Sequence, residues 1–122
     1  MKYLLDTNTC IRFINGRAQQ IREKMLTIAN SDIGISTIVQ AEMFAGSAKS
    51  QTPERSREIQ QEFFRRFTTI PFDKKSALIY GDIRASLEQQ GTPIGGNDML
   101  IASTAIANDL ILVTHNTREF GR

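Results

Sequence analysis

The opening MKYLLDTNTC limits this chain more than any other stretch: the apolar run Tyr3-Leu4-Leu5 ends in one carboxylate, Asp6, before Thr7, Asn8 and Thr9. Apolar character resumes at Cys10 and Ile11. A short apolar run cut off by a polar turn reads as a buried strand feeding a helix. In an open α/β sheet, ligands bind beyond the carboxyl ends of the strands, so an acid at that edge sits where chemistry is done. A carboxylate left charged and alone there is costly, so Asp6 must be solvated, paired or bound to a cation.

Strand and helix signals alternate from there on. Ile11, Phe13 and Ile14 predict a short helix ending near Asn15-Gly16, and Ile21, Met25 and Ile28 share one face of a second helix over residues 18–29. Ile33-Gly34-Ile35 reads as a short strand, followed by Ser36 as the N-cap of an apolar helix to Gly46 with a single acid, Glu42, inside it. Thr52-Pro53 opens the next helix, threonine as cap and proline in the first turn, with Ile59, Phe63 and Phe67 as its buried stripe. Residues 69–72 are extended but too short and proline-marked for a long central strand. Asp73 caps a helix running to about Gln90, with Ala77, Tyr80, Ile83 and Leu87 inward. A glycine-rich loop over residues 91–97 delivers Asp98 to the start of a helix over 99–108. Residues 110–114, β-branched and continuous as parallel strands are, form the clearest strand. Such alternation means an α/β fold, a parallel sheet with helices on both faces, in one domain over residues 1–122 without repeats or linkers.

Composition narrows the classes. A chain of 122 residues is long enough for one core without staples, and its 40% hydrophobic and 23% charged residues are ordinary for a globular protein. One cysteine cannot form an internal disulfide, and no Cys/His cluster has zinc spacing. The N-terminus lacks the layout of a signal peptide, and no run approaches the roughly 20 apolar residues of a membrane span. A cytoplasmic setting without membrane contact is the expectation. The net charge of +2 is too small to argue for nucleic acid on global electrostatics.

Most acids lie beside basic residues on amphipathic helices and read as solvated faces. Three do not: Asp6 ends a buried strand, Glu42 interrupts an apolar helix, and Asp98 follows a glycine loop. Singly, each has an ordinary explanation. Asp98 suits a helix N-terminus, Glu42 can reach solvent, and Asp6 can bond its own backbone through Asp-Thr-Asn. Together they are harder to dismiss, because this topology lets strand ends and helix N-termini converge on one sheet edge. Thr114, Asn116 and Glu119 follow the last strand at the same edge. Clustered carboxylates repel unless a cation sits among them, and oxygen ligands without histidine or thiolate select Mg²⁺ or Mn²⁺ over zinc.

Four stretches then carry a resemblance: LLDTN at the start, IVQAEM around Glu42, GTPIGGNDMLIA around Asp98 and LVTHNTREF at the end. In order and spacing they resemble the PIN-domain ribonucleases, specifically the toxins of bacterial VapBC toxin–antitoxin pairs, over nearly the whole chain. The resemblance implies a PIN-like three-layer sandwich with a central, mainly parallel sheet flanked by helices. It implies a Mg²⁺-dependent endoribonuclease, with Mn²⁺ able to substitute, held inactive by a small VapB-type antitoxin and usually homodimeric. DNA would be met only indirectly, through the antitoxin. By motif, Asp6 and Asp98 are metal ligands, Glu42 is the third acid, and Asn116 and Glu119 are the positions around the fourth. Many PIN domains place a fourth aspartate where this chain has Asn116, so Glu119 is expected to take part of that charge and a second metal to bind more weakly. Relatives generally continue past the position of Arg122 into a final short segment, so the expectation is either that the last edge of the sheet is absent or that this is a truncated form.

Asp6, Glu42, Asp98 and Glu119 are thus the expected catalytic set, with Thr7, Asn8, Thr114 and Asn116 as auxiliary polar groups. Arg12, Arg17, Arg118 and the Lys74-Lys75 pair are candidates for tracking a phosphate backbone. The resemblance points to structured RNA, a transfer RNA loop foremost. His115 reads as a loop histidine and Cys10 as an inert core residue, while surplus phenylalanines, Phe44 and Phe64, are candidates for a dimer or antitoxin surface. A dehalogenase-type phosphotransferase would need an aspartate at Asn8, and neither a receiver-domain acid set nor a nucleotide-binding glycine loop is present. The serious alternative is a PIN-like module that binds RNA or protein without cutting.

Overall fold

The computed structural model describes residues 2–16, 19–92 and 95–114. Its order is β1 (Tyr3–Leu5), α1 (Thr7–Ile14), α2 (Gln19–Leu26), β2 (Ile33–Ser36), α3 (Thr37–Ala48), α4 (Pro53–Arg65), β3 (Thr68–Ile70), α5 (Lys74–Gln90), α6 (Gly96–Ala107) and β4 (Ile111–Val113). The four strands form one parallel sheet in the order β3-β2-β1-β4, flanked by the helices. The chain builds outward from β1 through β2 to β3, then returns to β1's other side for β4. The strand order therefore reverses between β1 and β4, and in such sheets the crevice at the carboxyl ends of the switch-point strands is the ligand site.

Local sequence accounts for most element boundaries. Ser36 caps α3 as expected, its hydroxyl accepting the Val39 amide at 3.1 Å, and Asp73 caps α5 by accepting the amide and hydroxyl of Ser76 at 2.9 and 2.8 Å. Those bonds hold the Asp73 carboxyl below its ordinary range. Gly91 ends α5 in the left-handed conformation, φ +70°, which glycine adopts without a side-chain clash. Thr52 differs from expectation: its side chain makes no capping bond, and only its carbonyl, accepting the Ser56 amide at 3.0 Å, serves the helix that Pro53 opens.

The core lies between sheet and helices. Leu4, Leu5, Ile33, Ile35 and Val39 are within 1% of full burial, each contributing about 1.5–3 kcal/mol of apolar transfer free energy. Phenylalanines complete it. The stripe expected on α4 is rotated, because Phe67 lies past the end of α4 and Ile59 is 44% exposed, while Phe63 and Phe64 are buried. Phe44, half-buried, packs edge-on against buried Phe64 at 5.5 Å between ring centroids, so both contribute to the core. On α5, Ala77 faces solvent while Tyr80, Ile83 and Leu87 are half-buried, with α6 as the principal neighbour. Continuous hydrophobicity over residues 110–114 predicts a covered strand, yet β4 is the sheet's edge among the described residues and Ile111 is 59% exposed.

Candidate active site

Asp6 leaves β1 in extended conformation and becomes the N-cap of α1, its Oδ1 accepting the Thr9 amide at 2.8 Å. The ordinary explanation of Asp6, a carboxylate bonding its own backbone, is thus realised. Its second oxygen does something else: Oδ2 accepts the hydroxyl of Thr114, the first residue beyond β4. The Asp6 amide donates to the Val113 carbonyl at 3.0 Å, fastening the carboxyl ends of β1 and β4 together. Asp6 is only 4% exposed, and the amino end of α1 offers its negative charge favourable electrostatics.

Glu42 sits half-buried in the middle of α3, with Oε1 accepting the hydroxyl of Thr7 at 2.8 Å. The residue after Asp6 therefore reaches across to the second acid. Asp98 lies within the first turn of α6, because that helix begins at Gly96, three residues before the expected Met99. Its Oδ2 folds back over Gly95, 3.3 Å from where a side-chain carbon there would lie, so a larger residue at 95 would crowd this carboxylate. α3 packs against both α1 and α6, the helices at whose starts Asp6 and Asp98 stand.

Asp6 and Thr114 are thus joined directly, and Thr7 and Glu42 likewise; among the described residues no group of three or more His, Cys, Asp or Glu is assembled to hold a metal ion. Every donor in the set is a hard oxygen, which fits Mg²⁺ or Mn²⁺ and disfavours softer cations. Asn8 is exposed beside the turn, Arg12 is exposed in the last turn of α1, and Lys74 and Lys75 are exposed at the start of α5. Arg17, His115, Asn116, Arg118 and Glu119 lie outside the described residues. Sequence reasoning missed Thr9, whose hydroxyl is fully buried; its signal was a polar residue placed where α1 turns inward.

Two clefts flank the sheet. One of about 520 Å³ runs along β4 and is lined by Leu5, Met25, Ile28, Val113 and Thr114 among others. Another of about 390 Å³ is lined by Phe13, Arg22, Arg66 and Phe67 among others, and Asp6 is not part of its wall. Cys10 is fully buried behind the turn, and both burial and the Asp6 charge push its thiol pKa upward. A thiol reagent is therefore expected to modify Cys10 only after denaturation; rapid modification of the folded chain would contradict this burial.

The PIN domain family profile matches residues 3–122. The tRNA(fMet)-specific endonuclease VapC of Salmonella typhimurium is 39% identical over 122 residues, spanning all of this chain and 92% of that protein. Ribonuclease VapC2 of Rickettsia felis is 42% identical over 123 residues with the same coverage. The crystal structure of DNA-bound VapBC from Salmonella typhimurium superposes with a TM-score of 0.94 at 39% identity, over 100% of this chain and 92% of that one. The chain belongs to the PIN-domain family and, within it, to the VapC ribonucleases. No helix among the described residues is long and apolar enough to cross a membrane.

Proposed function

We propose that this chain is a Mg²⁺-dependent endoribonuclease that cuts structured RNA, a transfer RNA loop foremost, as the toxin of a VapBC pair, acting in the cytoplasm. One observation carries the reading: Asp6, almost fully buried, stands at the switch point of the sheet with both its oxygens oriented by hydrogen bonds. The choice of transfer RNA rests on the Salmonella relative, named for its action on tRNA(fMet). A VapB-type antitoxin is the expected partner because similar chains were crystallised as VapBC complexes, some on DNA; this chain would meet DNA only through that antitoxin. The whole chain is read as one PIN domain that pairs as a homodimer.

Asp6 and Asp98 would hold the divalent ion, and Glu42 would be a third ligand or orient the attacking water. When bound, the ion lowers the pKa of water and polarises a phosphoryl oxygen. Thr7 fixes one oxygen of Glu42, so that the carboxylate meets water in a set orientation. Thr114 holds Asp6 and Asn8 is a further polar group beside it; by motif, Asn116 and Glu119 are the positions around the fourth acid, Glu119 supplying charge where Asn116 supplies none. Arg12 and Arg118 attract the RNA backbone.

Mg²⁺ or Mn²⁺ at a hundredfold excess over Kd is expected to stabilise the fold by about 2.7 kcal/mol, read as a rise in Tm. RNA cleavage is expected in Mg²⁺ and not in EDTA. RNA retained in EDTA and left uncut in Mg²⁺ would instead identify a binding module.

A further inference from the structure

The hydroxyls of α3 and α6 follow a common habit. Ser47 donates to Phe44, Ser103 to Met99 and Thr104 to Leu100, each bonding a carbonyl of its own helix three or four residues back. Thr9 breaks the habit. Its side chain is fully buried, and its Oγ1 leaves α1 altogether to donate to the Val113 carbonyl of β4, 104 positions away in sequence, at 3.2 Å. That carbonyl also accepts the Asp6 amide at 3.0 Å, so both lone pairs of the last β4 carbonyl are engaged. Thr9 also donates its own amide to Asp6 Oδ1 at 2.8 Å. One residue therefore orients one oxygen of Asp6 directly and fixes the strand end from which Thr114 reaches the other.

We propose that Thr9 is a positioning residue for the divalent-cation site, acting through Val113 and Thr114 on Asp6. The proposal rests on the reading of Asp6 as a metal ligand. The physical reason is that a carboxylate binds a hard cation best when it need not be ordered on binding, and hydrogen-bonded outer partners supply that order. β4 is a three-residue strand at the edge of the described sheet, paired there with β1, and its carboxyl end is tied to Asp6 by the Asp6 amide and the Thr114 hydroxyl and to α1 by the Thr9 hydroxyl.

The test compares Thr9→Val, which keeps the shape and removes the hydroxyl, with Thr9→Ser, which keeps the hydroxyl. Mn²⁺ binding is measured by calorimetry without RNA. Thr9→Val is expected to weaken Mn²⁺ binding by about tenfold, the low end for an outer-shell partner, while Thr9→Ser binds like the parent chain. Thr9→Val added to Thr114→Val should weaken binding no further than Thr114→Val alone, because the two act on one path. Parent-like Mn²⁺ binding by Thr9→Val, or equal losses in both Thr9 variants, would overturn the proposal. If Thr9→Val does not fold, Thr9→Ala removes the same donor and takes the same measurement. Amide exchange in EDTA separates the two readings. Faster exchange of the Asp6 amide in Thr9→Val supports the anchor even if the parent chain takes up no metal, an outcome that would sink the metal-site reading alone; unchanged exchange sinks the anchor.

Discussion

Asp6→Asn is expected to lower RNA cleavage by about a thousandfold, on the scale of losing a principal electrostatic element of an active site, while leaving the chain folded. Asparagine is as good an N-cap as aspartate, so the bond to the Thr9 amide and the start of α1 survive. What disappears is the negative charge available to a divalent ion. Asp6→Ala loses the cap as well and should unfold about 1 kcal/mol more easily, with activity equally absent. Asp98→Ala is expected to be inactive for the same reason as Asp6→Asn. Cleavage assays in Mg²⁺ beside thermal melts of the metal-free proteins separate charge from cap. Near-normal cleavage by Asp6→Asn and Asp98→Ala would overturn the ligand assignment.

Phe63→Ala is expected to cost about 3–5 kcal/mol, the range for emptying a buried aromatic site, against a total stability of about 5–15 kcal/mol for a domain. Phe63 is 4% exposed, with Phe13, Phe64 and Phe67 at centroid distances of 5.2, 5.9 and 5.1 Å. It joins α4 to α1 through Phe13, and Asp6 caps α1, so its loss loosens the support of the site as well as the core. Leu26→Ala is the control, since Leu26 is 86% exposed and its removal should change stability by no more than about 0.5 kcal/mol. Urea unfolding of both variants decides it: equal midpoints would show that the aromatic cluster does not hold the fold.

The elements legible in the amino-acid sequence are those whose cause is local. Asp6 after Leu5, Ser36 before α3 and Asp73 before α5 are cap residues beside the helices they start, and each makes its capping bond within three residues. The alternation of short apolar runs with amphipathic segments is enough for a parallel α/β sheet, because that pairing requires crossover helices. The family of the chain is legible for a related reason, since four separated motifs keep their order and spacing. Sequence and structure part where burial depends on distant neighbours. A stripe spaced by four on α4 cannot reveal that Phe67 lies beyond the helix, nor that Phe44 packs edge-on against Phe64.

The order of residues along the chain thus settles which acids are set apart from charged surfaces and that Asp6 ends a strand, since both follow from near neighbours and side-chain chemistry. Folding settles that β4 lies beside β1, that Thr114 hydrogen-bonds to Asp6, and that Thr7 reaches Glu42. Those contacts join residues 35 to 108 positions apart. No local pattern can specify them, because strand order is chosen by how the whole set of helices covers the sheet, and a hydroxyl finds its partner only after that choice is made.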